Sequence, residues 1–191
     1  MRRSLEITEL GDPPFLLAAA KLSLRVYHDD DDSEIVELVK EAYGEAEART
    51  GRMVRTCSAI MLMDQFPVDG GPIVLPLPPL TGVTSVQYYD TTNTLQTLNG
   101  FQPSTKLVPG LIARPVDLLD WPATKDRIDA VRIAFTAGGA EPEQIRSAVR
   151  LLLNLSYNDV EPAKAETLTK RINGLLHGYT LRDPRLAGVT R

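Results

Sequence analysis

The stretch PIVLPLPPLTGVTSVQYYD, residues 72–90, separates helix-like sequence before it from strand-rich sequence after it. Residues 73–75 form a short strand-like run that ends at Pro76, because proline lacks the N–H group that a sheet ladder needs. Two further prolines keep the connector extended, and Thr81-Gly82 predicts a turn. The alternation over residues 83–89, rich in β-branched and aromatic side chains, then predicts a strand with apolar residues on both faces.

Helical periodicity flanks this stretch on both sides. Before it, a short helix follows Asp12, and a second helix capped by Asp32 or Ser33 runs to a stop at Gly51. After it, Pro142 opens a third, strongly apolar helix, and a fourth helix follows. The fold class we predict is α+β: a small helical bundle formed by N- and C-terminal helices with an inserted antiparallel β-rich subdomain.

The predicted boundaries follow these changes of period. The N-terminal helices are assigned to residues 1–52. This span begins with a flexible or strand-adding arm at residues 1–11. The inserted β-rich subdomain spans residues 53–140, and C-terminal helices at 141–177 complete the bundle. An extended tail covers residues 178–191.

Strands inside the predicted subdomain are indicated by alternation between turn signals. We expect long strands at residues 53–66 and 128–137, and a hairpin whose turn begins at Asp90 and whose returning strand spans 94–98. Shorter strands are expected around Phe101, Leu107, Leu111 and Ile112.

Composition limits the class of protein. The 191 residues are 43% hydrophobic and carry a net charge of −4, which predicts an acidic, soluble protein with a real core and disfavours a general nucleic-acid coat. No apolar run is long enough to span a membrane, and the N-terminus lacks a signal-peptide segment. One cysteine, Cys57, excludes an internal disulfide framework. We therefore expect synthesis in the cytoplasm and no membrane partner.

The acidic run Asp29, Asp30, Asp31 and Asp32 is the main candidate for metal chemistry. It lacks the ligand spacing of a calcium loop, and a helix N-terminus favours negative charge without any metal. No catalytic constellation or nucleotide motif accompanies it, so we predict no enzyme activity and no cofactor. The alternative is a small metal-dependent hydrolase that uses this run.

Three segments together resemble the head–tail connector (adaptor) proteins of long-tailed bacteriophages and gene transfer agents. The first segment is AAAKLSLRVYHDDDDSEIVELVKEAYGEAEARTGR, residues 18–52. The second is LPLPPLTGVTSVQYYD, residues 75–90. The third combines Trp121-Pro122 with VRIAFTAGG at 131–139 and PEQIRSAVRLLLNLSY at 142–157. Residues 162–191 carry no matching motif.

This resemblance implies a structural virion protein at the head–tail junction, made in the host bacterial cytoplasm. Such proteins form a ring under the portal that extends the DNA channel and docks neck or tail proteins. The implied partners are the portal protein, a neck or tail-terminator/stopper protein and other copies in a dodecameric ring. DNA would pass through without sequence-specific binding. Another neck or tail-completion protein is the alternative in the same class.

Candidate interaction residues follow from these expectations. Asp29 to Asp32 are expected to face the ring lumen or the outer surface. In the lumen, their negative charge would repel the like-charged DNA and keep it sliding. Trp121 is either a partner anchor or a cover for the edge of the core. The candidates for contact with the portal or a neighbouring copy are Trp121, Leu151, Leu153, Tyr179, Leu181, Arg182 and Arg185.

Overall fold

A computed structural model describes residues 2–181 and the backbone of residues 189–190. The described chain forms two compact units, one mainly of strands and one of helices. The strand unit comprises the described parts of Met1–Leu10, Thr56–Gly139 and Arg182–Arg191. The helical unit comprises Gly11–Arg55 and Ala140–Leu181. The predicted α+β class, with antiparallel strands between two pairs of helices, is confirmed.

The elements have the following bounds in chain order. The helices are α1 (Leu17–Leu24), α2 (Asp32–Thr50), α3 (Glu143–Tyr157) and α4 (Pro162–His177). The strands are β1 (Arg3–Leu10), β2 (Cys57–Met63), β3 (Ile73–Val74), β4 (Leu80–Tyr89), β5 (Leu95–Thr97), β6 (Gln102–Ser104), β7 (Leu111–Ala113), β8 (Val131–Ala137) and β9 (Val189–Thr190).

The strand unit contains a six-stranded sheet in the order β5-β4-β8-β2-β1-β9 and a three-stranded sheet in the order β3-β7-β6. The central strands β2 and β8 pair antiparallel, with Met61 opposite Ile133, and every second residue of each is buried. β9 pairs with β1 in parallel. The alternation of buried residues along β2 and β8 is the period-2 pattern of a sheet with one well-covered face.

The first residues of the chain belong to the sheet rather than to the helices. β1 pairs antiparallel with β2, and its Leu5 is buried. The predicted assignment of residues 1–52 to N-terminal helices is therefore wrong for residues 3–10, and the strand-adding alternative is correct. The reason is that an unpaired edge of β2 offers backbone hydrogen-bond partners that an isolated arm lacks.

Two local predictions for residues 72–90 have different outcomes. The proline-bracketed connector does end β3 and lead into β4. The predicted turn at Thr81-Gly82 is wrong, because both residues lie inside β4. There the pairing with β8 shifts register between Leu80 and Gly82 and again between Val83 and Ser85. Bulges of this kind absorb extra residues without ending the strand.

None of the helices in the described residues is long and apolar enough to cross a membrane.

The helical unit has its own core, built from the apolar stripes of three long helices. The buried members are Ile35, Val39, Ala42, Tyr43 and Ala46 on α2, Ile145, Ala148, Val149, Leu152 and Leu153 on α3, and Ile172 and Leu176 on α4. Gly51 ends α2 in the left-handed region, as predicted, with φ of 70° and its N–H donating to the Glu47 carbonyl.

The predicted helix starts require correction. α1 follows Leu16 rather than Asp12, and the N-cap of α2 is Asp31 rather than Asp32 or Ser33. Neither N-cap side chain makes a capping hydrogen bond within the described chain. The carboxylate of Asp32 accepts instead from Lys21, so a tertiary ion pair replaces the local cap.

Candidate interaction surfaces

The aspartate run holds the start of α2 in place. Lys21 on α1 donates from Nζ to Oδ1 of Asp29 at 2.5 Å and to Oδ1 of Asp32 at 2.6 Å. Tyr157 at the end of α3 donates its hydroxyl to Oδ2 of Asp31 at 2.5 Å. Three of the four carboxylates therefore tie α2 to the helices on either side of it.

These bonds shift the titration of the groups involved. The hydrogen bonds to Asp29 and Asp32 raise the pKa of Lys21, and the bond from Lys21 lowers the pKa of Asp29. The bond to Asp31, aided by desolvation, raises the pKa of Tyr157. These pKa shifts favour the charged forms of Lys21 and Asp29 and the neutral hydroxyl of Tyr157, which are the forms that keep the contacts.

The exposed part of the run is narrower than the sequence suggested. The side chains of Asp29 and Asp30 are 90% and 91% exposed, whereas those of Asp31 and Asp32 are 33% and 35% exposed. Across the described residues, no group of three or more His, Cys, Asp or Glu side chains is arranged to hold a metal ion. The geometry of the run is that of a tethered helix start with two outward carboxylates.

Trp121 is part of the core of the strand unit. Its side chain stacks on Phe66 with ring centroids 4.9 Å apart and planes 8° from parallel, and Phe66 meets Tyr88 edge-on. Its Nε1 donates to the Gly71 carbonyl at 2.8 Å. Only 7% of its surface is exposed, so the residue covers the edge of the core and offers little surface to a partner.

The two leucines singled out on α3 have different surroundings. Leu153 has 0% exposure and lies in the core of the helical unit, so it is unavailable to another copy. Leu151 is half-buried and packs against the same core. The apolar breadth of α3 is therefore largely explained by contacts within its own unit.

The start of the predicted tail is attached to the helical unit. Tyr179 donates its hydroxyl to Oε1 of Gln144 at 2.8 Å, and its carbonyl accepts from Nε of Arg52 at 2.8 Å. The N–H of Leu181 donates to the Thr50 carbonyl at 2.9 Å. These bonds hold residues 179–181 against the end of α2 and the start of α3. Arg182 and Arg185 lie outside the described residues.

A buried ion pair at the end of α2 was not anticipated. Glu47 is 3% exposed, and its Oε1 accepts the N–H groups of Val54 and Arg55 at 2.9 Å each. Its Oε2 accepts from Nη2 of Arg55 at 2.6 Å. The available sequence signal was its position four residues after Tyr43, which places a charged residue on the apolar stripe.

A second buried network joins α2 to the start of α3. Tyr43, with 0% exposure, donates its hydroxyl to Glu141, whose other carboxylate oxygen accepts from Nε of Arg146 at 2.7 Å. Burial raises the pKa of the Tyr43 hydroxyl, and the hydrogen bond to Glu141 raises it further. The phenol thus stays protonated and serves as a fixed donor inside the unit.

Two helix faces of the helical unit are exposed and carry opposite charge. Six acidic and two basic residues lie in α2, whereas three basic residues and one acidic residue lie in α4. The outward acids of α2 are Glu34, Glu37, Glu41 and Glu45. The outward basic residues of α4 are Lys164, Lys170 and Arg171.

Comparison with known proteins identifies relatives in fold. No protein-family model matches the chain, and no curated protein matches it. A chain from the virion of a native gene transfer agent particle is 20% identical with a TM-score of 0.72, and the match covers 94% of this chain and 96% of that one. A chain from the neck of an empty particle, computed with C6 symmetry, has a TM-score of 0.70 with the same identity and coverage.

A third match is a chain from the neck of a native particle computed with C12 symmetry. It has a TM-score of 0.59 at 20% identity and covers 92% of this chain and 97% of that one. At this level of identity the likeness establishes the fold. It extends over both the strand unit and the helical unit, because nearly the full length of each chain is matched.

Proposed function

We propose that this protein is a head–tail connector, or adaptor, of a phage-like particle: a structural virion protein that forms a ring under the portal. The observation that carries the proposal is the fold likeness to chains of gene transfer agent virions and necks over 94% of this chain and 96% of those chains. The match covers almost the whole length of both chains, so the likeness includes both the strand unit and the helical unit.

The choice of the adaptor among neck proteins depends on the sequence. The first resembling segment, residues 18–52, contains α2 and nearly all of α1, the second contains β4, and the third contains β8 and α3. These elements belong to both units, so the resemblance and the fold likeness cover the same parts of the chain. The fold likeness alone is compatible with another neck or tail-completion protein, and the three resembling segments favour the adaptor.

The proposed partners are the portal protein on one side and a neck or tail-terminator/stopper protein on the other. The related necks were computed with C6 and C12 symmetry, which supports a dodecameric ring for this chain as well. The location we propose is the head–tail junction of the virion, reached after synthesis in the host cytoplasm. DNA passes through the ring without base-specific contacts.

The outward carboxylates of Asp29 and Asp30 are proposed to face the lumen. Within the chain, the side chain of Asp30 is 91% exposed and that of Asp29 is 90% exposed. Negative charge on a channel wall repels the DNA phosphates and prevents sticking during passage. A ring structure with these residues on the outer rim would exclude this role.

The rival hydrolase requires the same aspartates to converge on one metal ion. Their oxygens are instead directed to different partners, Lys21 on one helix and Tyr157 on another. This divergence favours the structural role. If the protein bound a divalent cation tightly, and Asp30→Asn weakened that binding, the hydrolase would regain support.

The decisive experiment is electron microscopy of the purified protein mixed with the portal protein encoded beside it. We expect a twelve-subunit ring of extra density on the tail-facing end of the portal, by analogy with the C12 neck. A chain truncated after Leu181 serves as the comparison: we propose that the predicted tail engages the portal, so truncation should remove the density. Because the truncation also removes β9, which pairs with β1, the folding of the truncated chain is checked by circular dichroism. Absence of density with the full-length chain at several salt concentrations would refute the adaptor role and favour another neck position.

A further inference from the structure

The contact between neighbouring copies needs a surface other than the apolar side of α3. That side is occupied by the core of the helical unit, where Leu152 and Leu153 are 5% and 0% exposed. A ring requires two different surfaces on each copy, one meeting the next copy and one meeting the previous copy. The helical unit has two such surfaces, the outward faces of α2 and α4.

The outward face of α2 is an acidic ridge. Glu34, Glu37, Glu41 and Glu45 are spaced by three, four and four residues and are all exposed, so they line one side of the helix. Glu37 and Glu45 each meet one basic residue of the same helix, Lys40 and Arg49. The ridge therefore keeps an excess of negative charge along several turns.

The outward face of α4 has small side chains and a net positive charge: Lys164, Lys170 and Arg171 are exposed, and the one acid of the helix, Glu166, pairs with Lys170. Its exposed centre, spaced alternately by four and three residues, consists of Ala163, Thr167, Lys170, Gly174 and His177. Arg171 is also exposed and lies beside Lys170. Spacing of this kind forms a continuous stripe along a helix, and small residues allow another helix to approach closely.

Gly174 supports an external role for this stripe. Glycine is the poorest helix former after proline, so a glycine inside a helix normally has a packing reason. A Cβ added at Gly174 would have nothing within 4 Å in the described chain, so no neighbour in the same copy requires the glycine. Close approach by another copy would supply the missing reason.

We propose that the acidic ridge of α2 in one copy packs against the basic, small-residue face of α4 in the next copy. The two faces have opposite charge and similar length, since α2 has 19 residues and α4 has 16. Each copy contributes one face to each neighbour, which makes the contact heterologous and lets it close into a ring. This inference rests on the proposed adaptor function and names the contact that builds its ring.

The test uses two charge-reversed chains and a matched control. The first variant carries Glu37→Lys and Glu41→Lys, and the second carries Lys170→Glu and Arg171→Glu. The control carries Asp117→Lys and Asp126→Lys, two exposed acids of the strand unit for which no hydrogen bond or ion pair is seen in the described chain. Self-association is measured by sedimentation velocity up to about 0.3 mM protein, at low and high salt.

We expect each variant alone to lose self-association and the mixture of the two variants to recover it. Each variant alone should associate at least about tenfold more weakly than the wild type, because like charges then face each other. An equal mixture of the two variants should recover to within about threefold, since reversed α2 meets reversed α4 at alternate contacts. The control should match the wild type within about threefold, and high salt should weaken wild-type association.

Three results would overturn the inference: wild-type affinity in either variant, no recovery in the mixture, or no association of the wild type at the highest concentration. Electron microscopy on the portal separates this outcome from the proposed function. Rings on the portal that are insensitive to both reversals would sustain the adaptor and remove the α2–α4 contact. Charge-sensitive association without portal binding would sustain the contact and remove the adaptor.

Discussion

The buried carboxylate of Glu47 allows a quantitative test of how the helical unit is held together. It accepts two backbone N–H groups, from Val54 and Arg55, and pairs with the guanidinium of Arg55. The side chains of Glu47 and Arg55 are 4% and 13% exposed, so water is largely excluded from the pair. The residue fastens the segment after Gly51 to the end of α2.

The cost of removing this carboxylate follows from what it leaves behind. Glu47→Ala leaves a buried guanidinium without its counter-charge and two N–H groups without their acceptor, which we expect to cost about 3–5 kcal/mol. Glu47→Gln keeps one carbonyl acceptor but loses the charge, and we expect about 1–3 kcal/mol. Replacing both partners by methionine should cost less than Glu47→Ala, because no charge is then left unpaired.

Urea unfolding with two optical probes measures these effects separately in each unit. All four helices of the described chain lie in the helical unit, so far-UV circular dichroism follows that unit. The chain has one tryptophan, Trp121, in the strand unit, so its fluorescence follows the other unit. A loss of about 4 kcal/mol lowers the dichroism midpoint by about 2 M urea when m is about 2 kcal/mol/M.

A small effect would refute the reasoning. If Glu47→Ala lowered the unfolding free energy by less than about 1 kcal/mol, water or another group would have to satisfy the exposed donors. If the methionine pair cost as much as the alanine variant, the backbone N–H groups rather than the unpaired charge would account for the loss. The glutamine variant keeps the comparison measurable should the alanine variant fail to fold.

Three further predictions concern single residues. Hydrogen bonds from Thr92, Thr94 and Gln96 lower the pKa of Asp90 from 3.8 to about 2. Because this folded pKa lies below the unfolded value, the stabilisation of the β4–β5 turn is complete above about pH 4 and is lost as pH falls through about 2. An NMR titration should find the low midpoint, Thr92→Val should raise it, and a midpoint near 3.8 would contradict the turn geometry. Gly174→Ala should stabilise the helical unit by about 0.5–1 kcal/mol in thermal melts, and destabilisation would mean that the site is not open. Leu153→Ala should cost about 2–5 kcal/mol in urea unfolding and Leu151→Ala clearly less, since only Leu153 is fully buried. Equal losses would place the two side chains in similar surroundings.

Helices were the most predictable part of the fold. The strongly apolar third helix predicted after Pro142 is α3, and its residues Ile145, Val149 and Leu152 are buried. Such patterns are readable because an amphipathic helix repeats its buried face every 3.6 residues. The first residues of the helices were less predictable: the N-cap of α2 is Asp31, and the carboxylate of Asp32, which was predicted as a cap, accepts from Lys21 instead.

The candidate site residues were harder to assess from sequence. A lone tryptophan in a polar loop and a leucine-rich helix are equally typical of interfaces and of cores. The burial of Trp121 under Phe66 and of Leu153 within its unit depends on which distant segments fold onto them. The opposing charges on α2 and α4 were present in the sequence, but their exposure became visible only after the buried faces were known.

By itself the sequence determined the α+β class, the placement of two helices before and two helices after the central strands, and the stop of α2 at Gly51, because each depends on local periodicity or backbone preference. Only the tertiary structure decided that residues 3–10 complete the sheet, that Thr81-Gly82 lies in a bulge, and that Glu47 is buried with Arg55. These outcomes depend on hydrogen bonds and charges from segments far along the chain. A local pattern contains no information about partners that approach it only when the whole chain has folded.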